Sequence, residues 1–130
     1  MLNLYDVIFN LINPIVDSYT EHYPIDKEAQ EGEKKYPYAE FNFPNVSANN
    51  EYSDLNQLQI DIWSNKSGQV EEIETITDNL VKTLDKKIIK TNNMLVQIFK
   101  DKPFRIKLPD SDINIQRREL RFLVKLYERK

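Results

Sequence analysis

The 130 residues, 40% hydrophobic and 30% charged, suit one folded domain and are too few for a second independent core. The absence of cysteine excludes disulfides, thiolate metal sites and a cysteine nucleophile. No stretch approaches the roughly 20 apolar residues of a membrane-spanning helix, and the first fifteen residues lack the basic start and continuous apolar block of a signal peptide. We therefore expect a soluble protein with a single domain over residues 1–130, made in the cytoplasm.

The formal net charge of −3 conceals an uneven distribution along the chain. Residues 1–65 have 3 Lys, no Arg and 11 acidic residues, a net charge of −8, whereas residues 66–130 have 15 basic and 10 acidic residues, a net charge of +5. If the two halves form different faces, copies can associate head to tail, the geometry that closes into rings. The alternative is an ordinary solvated surface on which the charges happen to be uneven.

The first predicted elements are a helix and a polar loop. Apolar residues at spacings of three and four predict a helix from Asn3 to Asn13, which Pro14 ends or kinks: Leu4, Ile8, Leu11, Ile12 and Ile15. The polar segment Asp17–Lys35 is predicted to be a loop, with a short extended piece at Tyr19–Tyr23.

Two strands and a second helix are predicted next. The aromatic run Tyr36–Phe43 has the composition of a strand, and the polar segment Asn45–Asp54 is predicted to be a loop longer than a tight hairpin needs. Strict alternation at 58–63 predicts a strand with one apolar face, Leu58, Ile60 and Ile62. A helix at Val70–Ile88, capped by Ser67, should cover that face with one apolar stripe: Val70, Ile73, Thr77, Leu80, Leu84 and Ile88.

The last third of the chain is predicted to complete the sheet. Met94–Ile98 alternates as a strand, Phe104–Leu108 is either a strand or an extended loop, and Pro109–Asp112 is a turn. The final strand, Arg118–Glu128, has an apolar inner face and a basic outer face. The predicted fold class is therefore α+β: a mostly antiparallel sheet of four to five strands packed against two helices, in the order α-β-β-α-β-(β)-β.

Catalytic residue sets are missing from the sequence. His22 is the sole histidine and lies in a polar loop, where histidine is usually a surface residue, so neither a Ser-His-Asp triad nor a zinc site can be assembled. Gly32 and Gly68 are the two glycines, too few for a glycine-rich phosphate loop. We predict no enzyme activity and no catalytic, cofactor-binding or metal-binding residues.

Two groups of carboxylates are candidates for metal binding or acid–base chemistry. Glu71, Glu72 and Glu74 stand at a predicted helix start, where they complement the helix dipole. Asp110 followed by Glu119 faintly resembles a nuclease arrangement, but Arg121 occupies the place of the lysine that such chemistry needs, so we interpret Asp110 as a turn residue. A small hydrolase that uses Asp110 and Glu119 is the enzymatic alternative.

The residues predicted to bind a partner fall into two groups. The loop provides Asn49, Asn50, Glu51 and Asp54, and the final strand provides Arg117, Arg118, Arg121 and Lys125. The basic group could contact phosphates, but an isoelectric point near 5.2 is unlike that of a dedicated nucleic-acid binder. A protein partner is favoured, because Arg and Tyr also anchor protein interfaces.

The chain resembles the tail terminator, or tail completion, proteins of long-tailed bacteriophages and prophages. The resemblance spans nearly the whole chain as a succession of elements: the N-terminal amphipathic helix, Tyr23-Pro24, the strand entrance Tyr36-Pro37-Tyr38-Ala39-Glu40-Phe41, the loop with Asp54, Gln59-Ile60-Asp61-Ile62-Trp63, the helix Val70–Ile88 and the basic strand Arg117–Leu126. No single motif among them is diagnostic.

The resemblance implies a structural role in head–tail joining during virion assembly. Copies would form a hexameric ring on the tail tube, ending tail growth and providing the surface that docks the head. The partners implied are the chain itself, the tail tube protein and a head-closure or neck protein, with DNA at most passing through the lumen and no membrane. The protein would act in the host cytoplasm during assembly and then in the tail or neck of the virion.

The proposed assembly mechanism follows from the charge asymmetry. Acidic loops at Glu28–Glu33 and Asn45–Asp54 would meet the basic face of a neighbouring copy or of the tube. Two alternatives stay open: a head-closure or connector protein of the same kind of neck, and an intracellular adaptor that binds a host protein through its aromatic strand.

Overall fold

Two helices pack on one face of a six-stranded mixed sheet in the computed structural model, which describes residues 2–21, 35–50, 52–66, 69–110 and 112–128. The elements in chain order are α1 Leu2–Ile12, β1 Ser18–Thr20, β2 Tyr38–Ala48, β3 Asp54–Ser64, α2 Glu71–Leu84, β4 Ile88–Lys90, β5 Met94–Leu108 and β6 Gln116–Glu128. The α+β class and the two helices are confirmed. The prediction of four to five strands is wrong, because it omits the three-residue strands β1 and β4.

The sheet has the strand order β1-β2-β3-β6-β5-β4. All neighbouring strands are antiparallel except β1 and β2, which are parallel. The strand nearest the C-terminus, β6, therefore lies between β3 and β5. The two short strands form the edges.

The hydrophobic core lies between the sheet and the helices. The alternation of β3 is confirmed, since Leu58, Ile60 and Ile62 are all fully buried. The helices supply the opposing layer with buried aliphatic side chains: Leu4, Ile8 and Ile12 from α1, and Ile73, Ile76, Leu80 and Leu84 from α2. Branched aliphatic residues on both layers interdigitate well, and their burial provides most of the stability of such a fold.

The second helix is shorter than predicted. It ends at Leu84 because Asp85 adopts an extended backbone (φ −64°, ψ 128°) and Lys86 has a positive φ of 62°. Ile88, assigned to the helix stripe by its spacing, instead opens β4 and is 63% exposed. The predicted cap Ser67 lies outside the described residues, and Val70 at the N-cap position makes no side-chain cap bond.

The predicted loop Asn45–Asp54 is largely a β-hairpin. Strand β2 continues to Ala48, and Asn45–Ala48 pairs with Asp54–Gln57 of β3, leaving only a short turn between the strands. A register shift between Asn42 and Asn45 disrupts the alternation around Pro44, which hides this continuation in the sequence.

The two strand segments predicted at Met94–Ile98 and Phe104–Leu108 are one strand. Strand β5 runs for 15 residues, with a register shift between Lys100 and Arg105 where four residues interrupt the pairing with β6. The extended piece expected near Tyr19–Tyr23 is β1, which pairs with Ala39–Phe41. The remainder of that predicted loop, 22–34, lies outside the described residues.

Candidate interaction surfaces

The tip of the β2–β3 hairpin presents part of the predicted partner-binding set. Asn49, Asn50 and Asp54 are exposed there, whereas Glu51 lies outside the described residues. The Asn49 backbone N–H donates to the Ser53 carbonyl at 3.0 Å, and the Asn50 carboxamide oxygen accepts from the Tyr52 backbone N–H at 2.7 Å. These bonds hold a polar tip whose described residues include the exposed aromatic side chain of Tyr52.

The basic residues predicted on β6 divide between the two faces of the sheet. Arg117, Arg121 and Lys125 alternate with the core residues and lie on the outer face, opposite the helices. Arg118 has the same parity as buried Leu120, so its side chain lies on the helix side and the residue is 5% exposed. The prediction that Arg118 lies on an accessible basic face is therefore wrong.

Arg118 belongs to an ion-pair network between the sheet and α2. Its Nε donates to Glu74 Oε1 at 2.8 Å. Arg105 of β5 binds the other oxygen of Glu74, and its Nη1 donates to Asp78 at 2.7 Å. Because the arginines come from two strands and both carboxylates from one helix, this network fixes where α2 lies on the sheet.

On the outer face, both arginines predicted to bind a partner are paired within the chain. Arg117 Nη2 donates to Asp61 Oδ1 at 3.3 Å, and Arg121 Nη2 donates to Glu119 Oε2 at 3.0 Å. Asp61 and Glu119 are themselves cross-strand partners, so the four charges form one row in which the two carboxylates lie between the two guanidinium groups. Such internal pairing offsets the charge of the two arginines on the face that the sequence predicted to be basic.

An aromatic cluster continues this row. The Trp63 indole stacks on the Tyr38 ring with centroids 5.0 Å apart, and the Arg117 guanidinium lies 5.0 Å from the Trp63 ring. The indole Nε1 donates to Asp110 Oδ2 at 3.2 Å, which ties the turn after β5 to β3. Asp110 thus has a structural contact that the sequence did not reveal.

The two edges of the sheet carry opposite charge, a feature that sequence analysis detected only as a difference between halves of the chain. Beside β1 the exposed acids Asp17 and Glu21 flank the strand. Along β4 and β5 the exposed cations are lysines: Lys86, Lys87, Lys90, Lys100, Lys102 and Lys107. These lysines lie in or beside β4 and β5. The sequence did not predict β4 or place β5 near an edge of the sheet, so the lysines could not be recognised as one surface.

The carboxyl group of Glu72 and the phenol of Tyr5 have shifted pKa values. The hydrogen bond from Lys66, 2.8 Å away, lowers the pKa of Glu72 below its ordinary value of 4.5, and the Ser64 hydroxyl adds to this effect. Burial raises the pKa of Tyr5 above its ordinary value of 10.0, with a further contribution from its hydrogen bond to Glu21. Both contacts tie a helix to the chain around it.

The concave features of the described surface are shallow. A groove of about 280 Å³ lies beside the β5–β6 turn and is lined by residues that include Val70, Leu108, Pro109, Ile113 and Ile115. Within the part of the chain that the structure covers, no group of three or more His, Cys, Asp or Glu side chains could hold a metal ion. Neither described helix is long and apolar enough to cross a membrane.

Comparisons with known proteins assign the chain to no family. No protein-family model matches the sequence, and no curated protein matches it.

Proposed function

We propose that this chain is a non-enzymatic structural protein of a long-tailed bacteriophage or prophage. Its copies form a six-membered ring on the end of the tail tube, stop tail growth and present the surface to which the head docks. The observation that supports this role best is the opposite charge of the two sheet edges, acidic at Asp17 and Glu21 and lysine-rich along β4 and β5. A molecule with complementary sides associates head to tail, as a ring requires.

The electrostatic part of the mechanism takes a different form from the one indicated by the sequence. Arg117 and Arg121 are paired on the outer face and Arg118 is buried, so these arginines are poor candidates for the basic side of an intermolecular contact. In our proposal the exposed lysines of the β4–β5 edge form the basic side of the intermolecular contact. The acidic segment Glu28–Glu33 lies outside the described residues, and Asp17 and Glu21 supply the described acidic side.

The aromatic strand β2 gives little support to the alternative that the chain is an adaptor for a host protein. Tyr38, Phe41 and Phe43 of β2 are at most 9% exposed, so they are unavailable to a host protein without rearrangement. A head-closure or connector protein of the neck would use the same opposite edges, and it differs from a tail terminator in the structure to which it binds.

Tail tubes provide the direct test. Purified protein is mixed with tubes of the matching phage, and the tube ends are inspected by negative-stain electron microscopy. We expect a ring at one end of each tube and an arrest of further tube growth. Binding to heads but not to tubes would instead assign the chain to the neck, and binding to neither would contradict the proposal.

A matched pair of variants tests the lysine edge within the same experiment. Lys90→Glu reverses one charge of β4, whereas Lys82→Glu places the same change on an exposed position of α2. We expect the β4 variant to lose capping and the α2 variant to keep it. Equal capping by both variants would remove the lysine edge from the proposal.

A further inference from the structure

Resting on the self-assembly proposed above, we infer that copies of this chain join edge to edge, each sheet continuing into the sheet of the next copy. The β4–β5 edge of one copy lies against the β1–β2 edge of its neighbour. The inference rests on the lengths and positions of the edge strands and on the charges beside them.

The first edge is stepped because β1 is short. β1 pairs only with Ala39–Phe41 at the start of β2. Farther along β2, Asn45–Ala48 has no strand on its outer side among the described residues, and all four residues are exposed. The edge therefore projects by one strand beside Ala39–Phe41 and is recessed beside Asn45–Ala48.

The second edge is stepped because β4 is equally short. β4 pairs with Leu95–Gln97 of β5. Past the register shift, Arg105–Leu108 of β5 pairs with β6 on one side and has no strand on its other side in the part of the chain that is described. This edge projects by one strand beside Leu95–Gln97 and is recessed beside Arg105–Leu108.

The cross-strand register shows that the two steps are complementary. One row of directly opposed residues runs Ser47–Leu55–Lys125–Gln97–Ile88, so β4 projects at the level where β2 is recessed.

A second row runs Ser18–Ala39–Ile62–Arg118–Lys107, so β1 projects at the level where β5 is recessed. Two copies placed side by side without an axial shift thus fit projection into recess at both levels.

The backbone groups at the contact can pair. β4 would lie parallel to the neighbour's β2, and the neighbour's β1 would lie antiparallel to β5, as their directions in the sheet require. Strand addition at an open edge satisfies main-chain donors and acceptors that otherwise face water. Pro44, which lacks a donor, precedes the recess of β2 and leaves Asn45–Ala48 able to pair.

The charges beside the two steps also match. Asp17 and Glu21 flank β1. Asp17 lies one residue from the level of Lys107 on the facing edge, and Glu21 lies at the level of the β5 bulge that contains Lys102. At the other level, Lys90 of β4 would approach the hairpin of the neighbouring copy near exposed Asp54. Because both sides belong to one chain, the partner that fits them is a second copy, joined heterologously.

Cysteine trapping tests this contact without background, since the natural sequence has no cysteine. Ser47→Cys and Ile88→Cys are made in separate chains, mixed in equal amounts at high protein concentration and oxidised, and dimers are read on a non-reducing gel. The facing thiols would lie within disulfide distance. We expect a heterodimer yield at least about tenfold above that of a control mixture, because pairing raises the effective concentration of the two thiols.

The control mixture replaces Ile88→Cys with Ile113→Cys, a residue that is 94% exposed and lies at the opposite end of the strands from Ser47. Equal yields in the two mixtures, or no heterodimer in either, would overturn the edge-to-edge contact.

A chain that carries both Ser47→Cys and Ile88→Cys gives a second reading. The two residues are four strands apart, roughly 19 Å at the usual spacing, so they cannot bond within one molecule. Oxidation should produce a ladder of covalent oligomers that ends at the number of copies in the closed ring. Rings on tail tubes without any ladder would overturn this contact and leave the proposed function standing, whereas a ladder without tube capping would support the contact and contradict the tail role.

Discussion

Glu74 of α2 accepts a hydrogen bond from the buried Arg118 of β6, with Arg118 Nε and Glu74 Oε1 2.8 Å apart. The Arg118 side chain is 6% exposed, so this carboxylate is its main compensation in a low-dielectric environment. A charged residue at a core position of a central strand thus links the sheet to the helix above it.

Removal of the carboxylate should strongly destabilise the fold. We expect Glu74→Ala to lower the free energy of unfolding by about 3 kcal/mol, because it leaves the buried Arg118 charge without its partner. Chemical denaturation followed by circular dichroism measures the change. Asp78→Ala is the matched control: it also removes a partner of Arg105, but the Asp78 side chain is 67% exposed, and we expect a loss of about 0.5 kcal/mol. Similar losses for both variants would contradict the role given to Arg118.

The Glu72 contact should make stability depend on pH in the acidic range. Its folded-state pKa lies below the ordinary 4.5, so the contact stabilises the protein above that pH, and the contribution is lost as pH falls through the folded-state pKa. Denaturation of the natural protein and of Glu72→Gln from pH 7 to acid should show a stability difference that shrinks below about pH 4.5. A difference that is constant with pH would contradict the assignment.

Tyr5 should produce the opposite dependence at alkaline pH. Its pKa is raised in the folded state, so the unfolded chain loses the proton first and stability falls as pH rises above 10.0. Tyr5→Phe keeps the edge-on contact with Phe43, whose ring centroid is 4.9 Å away, but cannot ionise. We expect the natural protein to lose more stability than Tyr5→Phe between pH 9 and pH 11. Parallel curves would show that the phenol does not contribute.

Trp63 reports which surface is used in assembly. It is the one tryptophan of the sequence and lies on the outer face, one strand in from the β1–β2 edge. If copies join through their edges, the Trp63 emission maximum should stay constant as rings form, because its contacts with Tyr38 and Arg117 persist. A blue shift on assembly would indicate that the outer face itself is covered. Fluorescence measured across a dilution series gives the answer.

The parts of the fold that were predictable are those in which one side-chain pattern extends over many residues. Strands β3 and β6 and the helical stripe from Ile73 to Leu84 each bury one face in the core and leave the other face outside it. Apolar residues therefore recur with the period of a strand or of a helix. Strands β1 and β4 have three residues each, too few to show an alternation of apolar and polar side chains. They form because the neighbouring longer strands, β2 and β5, offer hydrogen-bonding partners. In the hairpin Asn45–Gln57 the β2 residues are exposed to solvent. They show no apolar alternation from which the strand pairing could be predicted.

The candidate surfaces were less predictable because charge pairing is a tertiary property. Sequence reasoning treated Arg117, Arg118 and Arg121 as one exposed basic group, although the parity of Arg118 with Leu120 places it on the core side. Its partner Glu74 is 44 residues away in the chain, and no local pattern relates the two. The lysines of β4 and β5 became a surface only once both strands were located at an edge.

The position of β6 has a consequence for the order in which the molecule can form. β6 follows the other five described strands in the chain and must enter between β3 and β5, so pairs as distant as Asp54 and Leu126 have to meet before the sheet is continuous. Contacts of such sequence separation close slowly. On a ribosome the earlier strands would remain as two separate groups, each with an uncovered edge, until β6 emerges and pairs with both.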